Sequence, residues 1–101
     1  MKKVKTGEEE VEFLEEAEIN SLFDELLQAA GRRGVPEKLI NKTKKVVLKQ
    51  TKKIEKEITK GKVKSEPIRK LREVTKRMQD IVKDPPSYNR EVIMELLKKS
   101  V

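Results

Sequence analysis

The sequence predicts an all-α protein: a small bundle of three or four helices with a long central basic helix and a mobile acidic N-terminal arm. Three observations lead there. Apolar residues recur at three- and four-residue spacing in four runs, Gly- or Pro-containing breaks separate the runs, and no segment of strand length alternates apolar with polar residues between turns. Composition permits a core but a modest one. Apolar content is 35% and charged content 43%, yet Leu, Ile, Val and Phe together, 28 of 101 residues, stand above the roughly 20% associated with disordered chains. At 101 residues the chain suits one domain.

Residues 1–14, MKKVKTGEEEVEFL, show no sustained period and read as the arm, with Val11, Phe13 and Leu14 available to dock. Residues 15–101 read as the helical domain. Ile19, Leu22, Phe23, Leu26, Leu27 and Ala30 then stand at i, i+3, i+4, i+7, i+8 and i+11, one face of a helix over about 15–30, and Gly31 follows as a stop. Pro36 suits the first turn of a new helix, where its missing N–H has no partner to lose. That second helix is expected over about 36–60, because Leu39, Ile40, Thr43, Val46, Val47, Gln50, Ile54 and Ile58 fall within about 120° on a wheel of 100° per residue. Leu48 lies off this stripe, almost opposite it, and reads as a second contact, another subunit being one candidate.

TKGKVKSEP ends the second helix, and Ser65 is placed to cap a third over about 66–83. Its apolar residues Ile68, Leu71, Thr75, Met78 and Val82 alternate three and four apart, the seam of a coiled-coil-like packing that a homodimer would bury. KDPP stops it. Ser87 or Asn89 caps a short fourth helix over about 88–100, with i, i+4 pairs Tyr88/Val92, Val92/Leu96 and Ile93/Leu97.

Charge carries the functional signal. From Met1 to Ala30 there are three basic residues and nine acids, a sum of −6; from Gly31 to Lys83 there are nineteen basic residues and six acids, a sum of +13; the rest is neutral, giving +7. With Leu39 at 0° on the wheel, Lys38, Lys42, Lys45, Lys49, Lys52, Lys53, Lys56 and Lys60 occupy one band from about 220° to 320°. No other residue type enters it, and the helix's acids Glu37, Glu55 and Glu57 all fall outside. An ordinary solvated face gains by mixing signs, since i, i+4 Glu–Lys pairs stabilise by roughly 0.2–0.5 kcal/mol and like charges cost a similar amount. An anionic polymer explains the exclusion directly, because each neutralised phosphate releases condensed counterions.

Arg32 and Arg33, in the turn before this helix, extend the candidate footprint, and Arg69, Arg72 and Lys76 form a second basic strip on the third helix, with Glu73 and Asp80 close by. Ala30, Gly34, Val35 and Ile40 stand where a helix-turn-helix has its small residue, turn glycine and two core residues, so the segment resembles that motif over about twenty residues. Gly31, Arg33 and the length of the second helix depart from it. No cluster of Arg, Asn and Gln suits base readout, and Phe13, Phe23 and Tyr88 are the only aromatics, which leaves no stacking platform for single strands.

The expectation is therefore a non-catalytic protein that binds the phosphate backbone of a duplex, DNA before RNA, as a small regulator or architectural factor. The acidic N-terminal segment is expected either to compete for the lysine band or to recruit a protein partner. The alternative is a helical interaction module, an adaptor, inhibitor or minor subunit, docking through its charge poles and exposed apolar residues. No cofactor or metal is expected: Cys and His are absent, which removes thiol and imidazole chemistry and the usual zinc sites, and Gly61-Lys62 lacks the rest of a phosphate-binding loop. No run has the length of a membrane span and no signal-peptide core is present, so no membrane partner and an intracellular location, cytoplasm or nucleoid, are expected.

Overall fold

The computed structural model describes residues 1–7 and 9–100. Two strands, β1 (Lys2–Thr6) and β2 (Glu9–Phe13), precede four helices: α1 (Glu16–Gly31), α2 (Glu37–Thr59), α3 (Ser65–Lys83) and α4 (Arg90–Lys99), the last introduced by a 3-10 turn at Pro85–Ser87. The protein is thus mostly helical with a small antiparallel sheet. This corrects the all-α expectation and the mobile arm together.

The hairpin forms because its two strands do alternate. In the register Lys2↔Phe13, Lys3↔Glu12, Val4↔Val11, Lys5↔Glu10, Thr6↔Glu9, one face carries Val4, Val11 and Phe13 into the core. The other sets Lys3 opposite Glu12 and Lys5 opposite Glu10, cross-strand pairs of opposite sign. Gly7 has φ 63, which glycine adopts without steric cost. Phe13 is fully buried, and β2 lies against α3, so the β2 acids Glu9, Glu10 and Glu12 are held beside α3 rather than free to reach the lysine band.

The helix ends fall within one or two residues of the sequence expectation. At the end of α1 the positive-φ residue is Gly34, at 87°, and not the anticipated stop Gly31. Val35 N–H reaches Ala30 O at 3.1 Å and Gly34 N–H reaches Gly31 O at 3.1 Å, the paired bonds of a Schellman turn, with Val35 and Ala30 both buried beneath it. Gly61 (φ 71) repeats the device after α2, through Lys62 N–H to Glu57 O and Gly61 N–H to Ile58 O, both 3.0 Å. The turn between α1 and α2 is accordingly a helix stop and restart, followed by a helix of 23 residues. Ser65 is the first residue of α3 and not its cap, whereas Asn89 does cap α4, Oδ1 accepting Val92 N–H at 2.8 Å.

α1 packs on both α2 and α3, and α4 packs on α2. Phe23, Leu26, Ile40, Val47, Ile68, Leu71, Met78, Ile93 and Leu97 fill the centre. Three threonines are buried with them, and each hydroxyl donates to the carbonyl four residues earlier: Thr43 to Leu39 (2.8 Å), Thr51 to Val47 (2.9 Å) and Thr75 to Leu71 (3.0 Å). That bond lets Thr51 enter the core in place of exposed Gln50. The buried face of α2 is Ile40, Thr43, Val47, Thr51 and Ile54, centred near 80° on the wheel instead of about 40°. Leu48 is then only about 100° from the core centre, half-buried and packed against it, not a detached contact. On α3 the seam is buried within the monomer, with Ile81 in the place expected for Val82, so the dimer surface inferred from it is already occupied by α1 and β2.

Candidate nucleic-acid interface

The correction to α2 sharpens the lysine band. With the core face near 80°, the band centred near 270° lies opposite it on the helix. Lys38, Lys42, Lys45, Lys49, Lys52, Lys53, Lys56 and Lys60 are all exposed. At about 1.5 Å rise per residue, Lys38 to Lys60 extends roughly 33 Å, close to one turn of a duplex. Between the side chains run two shallow grooves: one of about 480 Å³ bordered by Glu37, Lys38, Asn41, Lys42 and Lys45, and one of about 510 Å³ bordered by Lys45, Leu48, Lys49, Lys52, Lys53 and Lys56. The half-buried Leu48 gives the second an apolar edge inside a ring of ammonium groups.

Among the described residues one acid reaches the band. Glu16, at the start of α1, places Oε1 3.8 Å from Lys52 Nζ. That oxygen is shut off from solvent and accepts no hydrogen bond, so the contact is an ion pair held at a distance. Glu18, two residues on, serves the fold: its Oε2 accepts from the Met1 ammonium at 2.9 Å and its Oε1 accepts Glu15 N–H at 3.2 Å. The ammonium's hydrogen bond holds the Glu18 carboxyl below its ordinary range, partial burial opposing and the Glu15 N–H assisting.

The other sequence-predicted basic residues are placed differently from the band. Arg33 is half-buried and its Nη1 donates to Tyr88 O at 2.7 Å, tying the α1–α2 turn to the residues before α4. Arg32 is exposed beside it. On α3, Arg69 pairs with Glu9 of β2, and Arg72 Nη1 donates to Gln79 Oε1 at 3.0 Å; Lys76 is exposed. Two of the three members of this strip thus have partners in the hairpin or in their own helix.

Among the described residues no group of three or more Asp or Glu side chains is gathered to hold a metal ion, and no helix is long and apolar enough to cross a membrane. Among the described residues the large apolar side chains left exposed are Met1 and Val92. Sequence reasoning missed Arg90, whose side chain lies against Gly34; only tertiary structure brings the start of α4 to the α1–α2 turn. No protein-family model matches the chain, and no curated protein or solved structure matches it.

Proposed function

We propose that this chain is a non-catalytic nucleic-acid-binding protein that grips the phosphate backbone of a duplex, DNA first, through the exposed face of α2. The observation that carries the proposal is the exclusion of every other residue type from a band of eight lysines set opposite the core. A face used only for solubility has no reason to exclude acids, and the like-charge neighbours work against the helix. A rigid row of this length matches one duplex turn, and a band about 100° wide suits contact with backbone more than with base edges, which needs Arg, Asn and Gln at the groove. The alternative, a docking module that uses exposed apolar residues, draws less support: Leu48 is half-buried, and the exposed Met1 and Val92 lie at opposite ends of the chain.

The test is fluorescence anisotropy with a labelled duplex of roughly 20 base pairs, about two turns, across a salt series, with duplex RNA and single-stranded DNA as competitors. Six phosphate contacts give a log–log slope near −5, at roughly −0.9 per contact. The variant Lys45→Gln, Lys49→Gln, Lys52→Gln, Lys56→Gln should flatten it by about 3 to 4 units. Absence of binding at low salt sinks the proposal and moves the search to acidic protein partners.

A further inference from the structure

Three arginines stand around the turn that leads into α2. The side chain of Arg90 lies across Gly34: a methyl group on that glycine would stand 3.7 Å from Arg90 Cδ and 3.8 Å from its Nε. Arg33 holds Tyr88 O, two residues before Arg90, through a 2.7 Å bond. Arg32, two residues before Gly34, is exposed, as is Arg90. Lys38 and Lys42, the first lysines of the band, follow Gly34 by four and eight residues.

The nearest acids by position are Glu25 on α1, which borders the same cleft as Arg32 and Arg33, Glu37 in the first turn of α2 and Glu91 beside Arg90. Among the described residues none of these carboxylates comes within 4.0 Å of a guanidinium nitrogen of Arg32, Arg33 or Arg90. Three like charges stand around one turn, and among the described residues none of them is ion-paired with an acid. A guanidinium presents a planar fork that matches two phosphate oxygens, a geometry lysine does not offer.

We infer that Arg32 and Arg90 form a phosphate clamp that extends the duplex footprint beyond the N-terminal end of α2, with Arg33 as the positioning residue that fixes the turn through Tyr88. The inference rests on the duplex-binding reading above. The lysine band then supplies diffuse neutralisation along the backbone, and the clamp supplies the bidentate contact that sets where the footprint ends.

The experiment compares the wild type with Arg90→Gln, Arg90→Lys, Arg32→Gln/Arg90→Gln and, as a control for net charge alone, Lys99→Gln, whose lysine pairs with Glu95 on α4. The same salt series is used, and thermal unfolding confirms that each variant is folded. Arg90→Gln should make the slope shallower by about 0.9 and the double variant by about 1.8, while Lys99→Gln leaves it unchanged. Arg90→Lys should restore the slope, because the charge is back, without restoring full affinity, because the fork is not. If the wild type binds as proposed and Arg90→Gln behaves like Lys99→Gln, the clamp is wrong and the α2 reading stands. If the wild type does not bind duplex at low salt, both fall together.

Discussion

Removing lysines from the α2 face should stabilise the protein while it weakens binding. In the fourfold Lys→Gln variant at 45, 49, 52 and 56, the like-charge i, i+4 pairs Lys45–Lys49, Lys49–Lys53, Lys52–Lys56 and Lys56–Lys60 all disappear. At roughly 0.2–0.5 kcal/mol each they relieve about 0.8–2 kcal/mol of repulsion. Glutamine has nearly the helix propensity of lysine, so little is lost intrinsically. The described contact given up is Lys52–Glu16, at 3.8 Å between an exposed lysine and a partly exposed glutamate, and exposed pairs contribute up to about 1 kcal/mol. The net gain is about 1 kcal/mol, which for a domain of this size raises Tm by about 4–8 °C. The assay is thermal unfolding by circular dichroism at low salt and again near 1 M, where the Debye length falls to about 3 Å and the gain should vanish. A variant that melts below the wild type at low salt would refute the reasoning, since the lysine stems would then be supporting the fold, for example by covering Leu48. A stability gain without any duplex binding by the wild type would leave a repulsive face with no nucleic-acid ligand to justify it.

Four further outcomes follow from the geometry. Gly34→Ala should cost about 1–2 kcal/mol in urea unfolding, because a side chain at φ 87 is strained although the space above it is open to 3.7 Å. Phe13→Ala should cost about 3–5 kcal/mol, since Phe13 is fully buried, and a chain lacking residues 1–13 should lose cooperative unfolding instead of binding duplex more tightly. Glu16→Gln should strengthen duplex binding at low salt and steepen the salt slope, as it frees Lys52; an unchanged slope would mean that Glu16 does not restrain that lysine. Glu18 is ionised more readily folded than unfolded, so its contribution is present above about pH 4.5 and is lost as pH falls through its lowered folded value. Acid unfolding of Glu18→Gln should therefore differ from wild type near neutral pH and converge with it in acid.

Much of the helical architecture was legible because helix burial follows a period that any sequence displays. Ile68, Leu71, Thr75 and Met78 could be assigned to one seam without knowing what covers it. The hairpin was not legible for a physical reason. β1 has a single buried apolar residue, Val4, and its other positions are mostly lysine; β2 interleaves Val11 and Phe13 with glutamates. Lysine and glutamate are poor strand formers alone, and the Lys3–Glu12 and Lys5–Glu10 pairings that compensate exist only once the register is set. The α2 core face was placed about 40° off because a threonine that bonds its own backbone is as good a core residue as a valine, which composition cannot tell from an exposed one. The lysine band was legible in full, being a property of one helix. The environments of Arg33, Arg69 and Arg90 were not, since each depends on an element distant in sequence.

The hairpin changes what the charge polarity of the chain means. Read linearly, an acidic first third faces a basic middle and invites competition between them. In three dimensions most of the described contacts of these acids stay outside the α2 band: Glu9 with Arg69, Glu10 and Glu12 across from Lys5 and Lys3, Glu18 with the Met1 ammonium. Glu66 and Glu95 likewise meet Lys70 and Lys99 one turn along their own helices. Among the described residues only Glu16 comes within 4.0 Å of any lysine of the α2 band. Among the described residues, seven of the eight band lysines thus have no acid within 4.0 Å, and positive charge is denser on this straight face than the chain's net +7 conveys. Charge gathered this way steers an anionic polymer towards a defined edge of the molecule rather than towards its whole surface. That is why the loss of four lysines from α2 should weaken binding far more than the loss of four from the hairpin and α4, although the net charge of the two variants is the same.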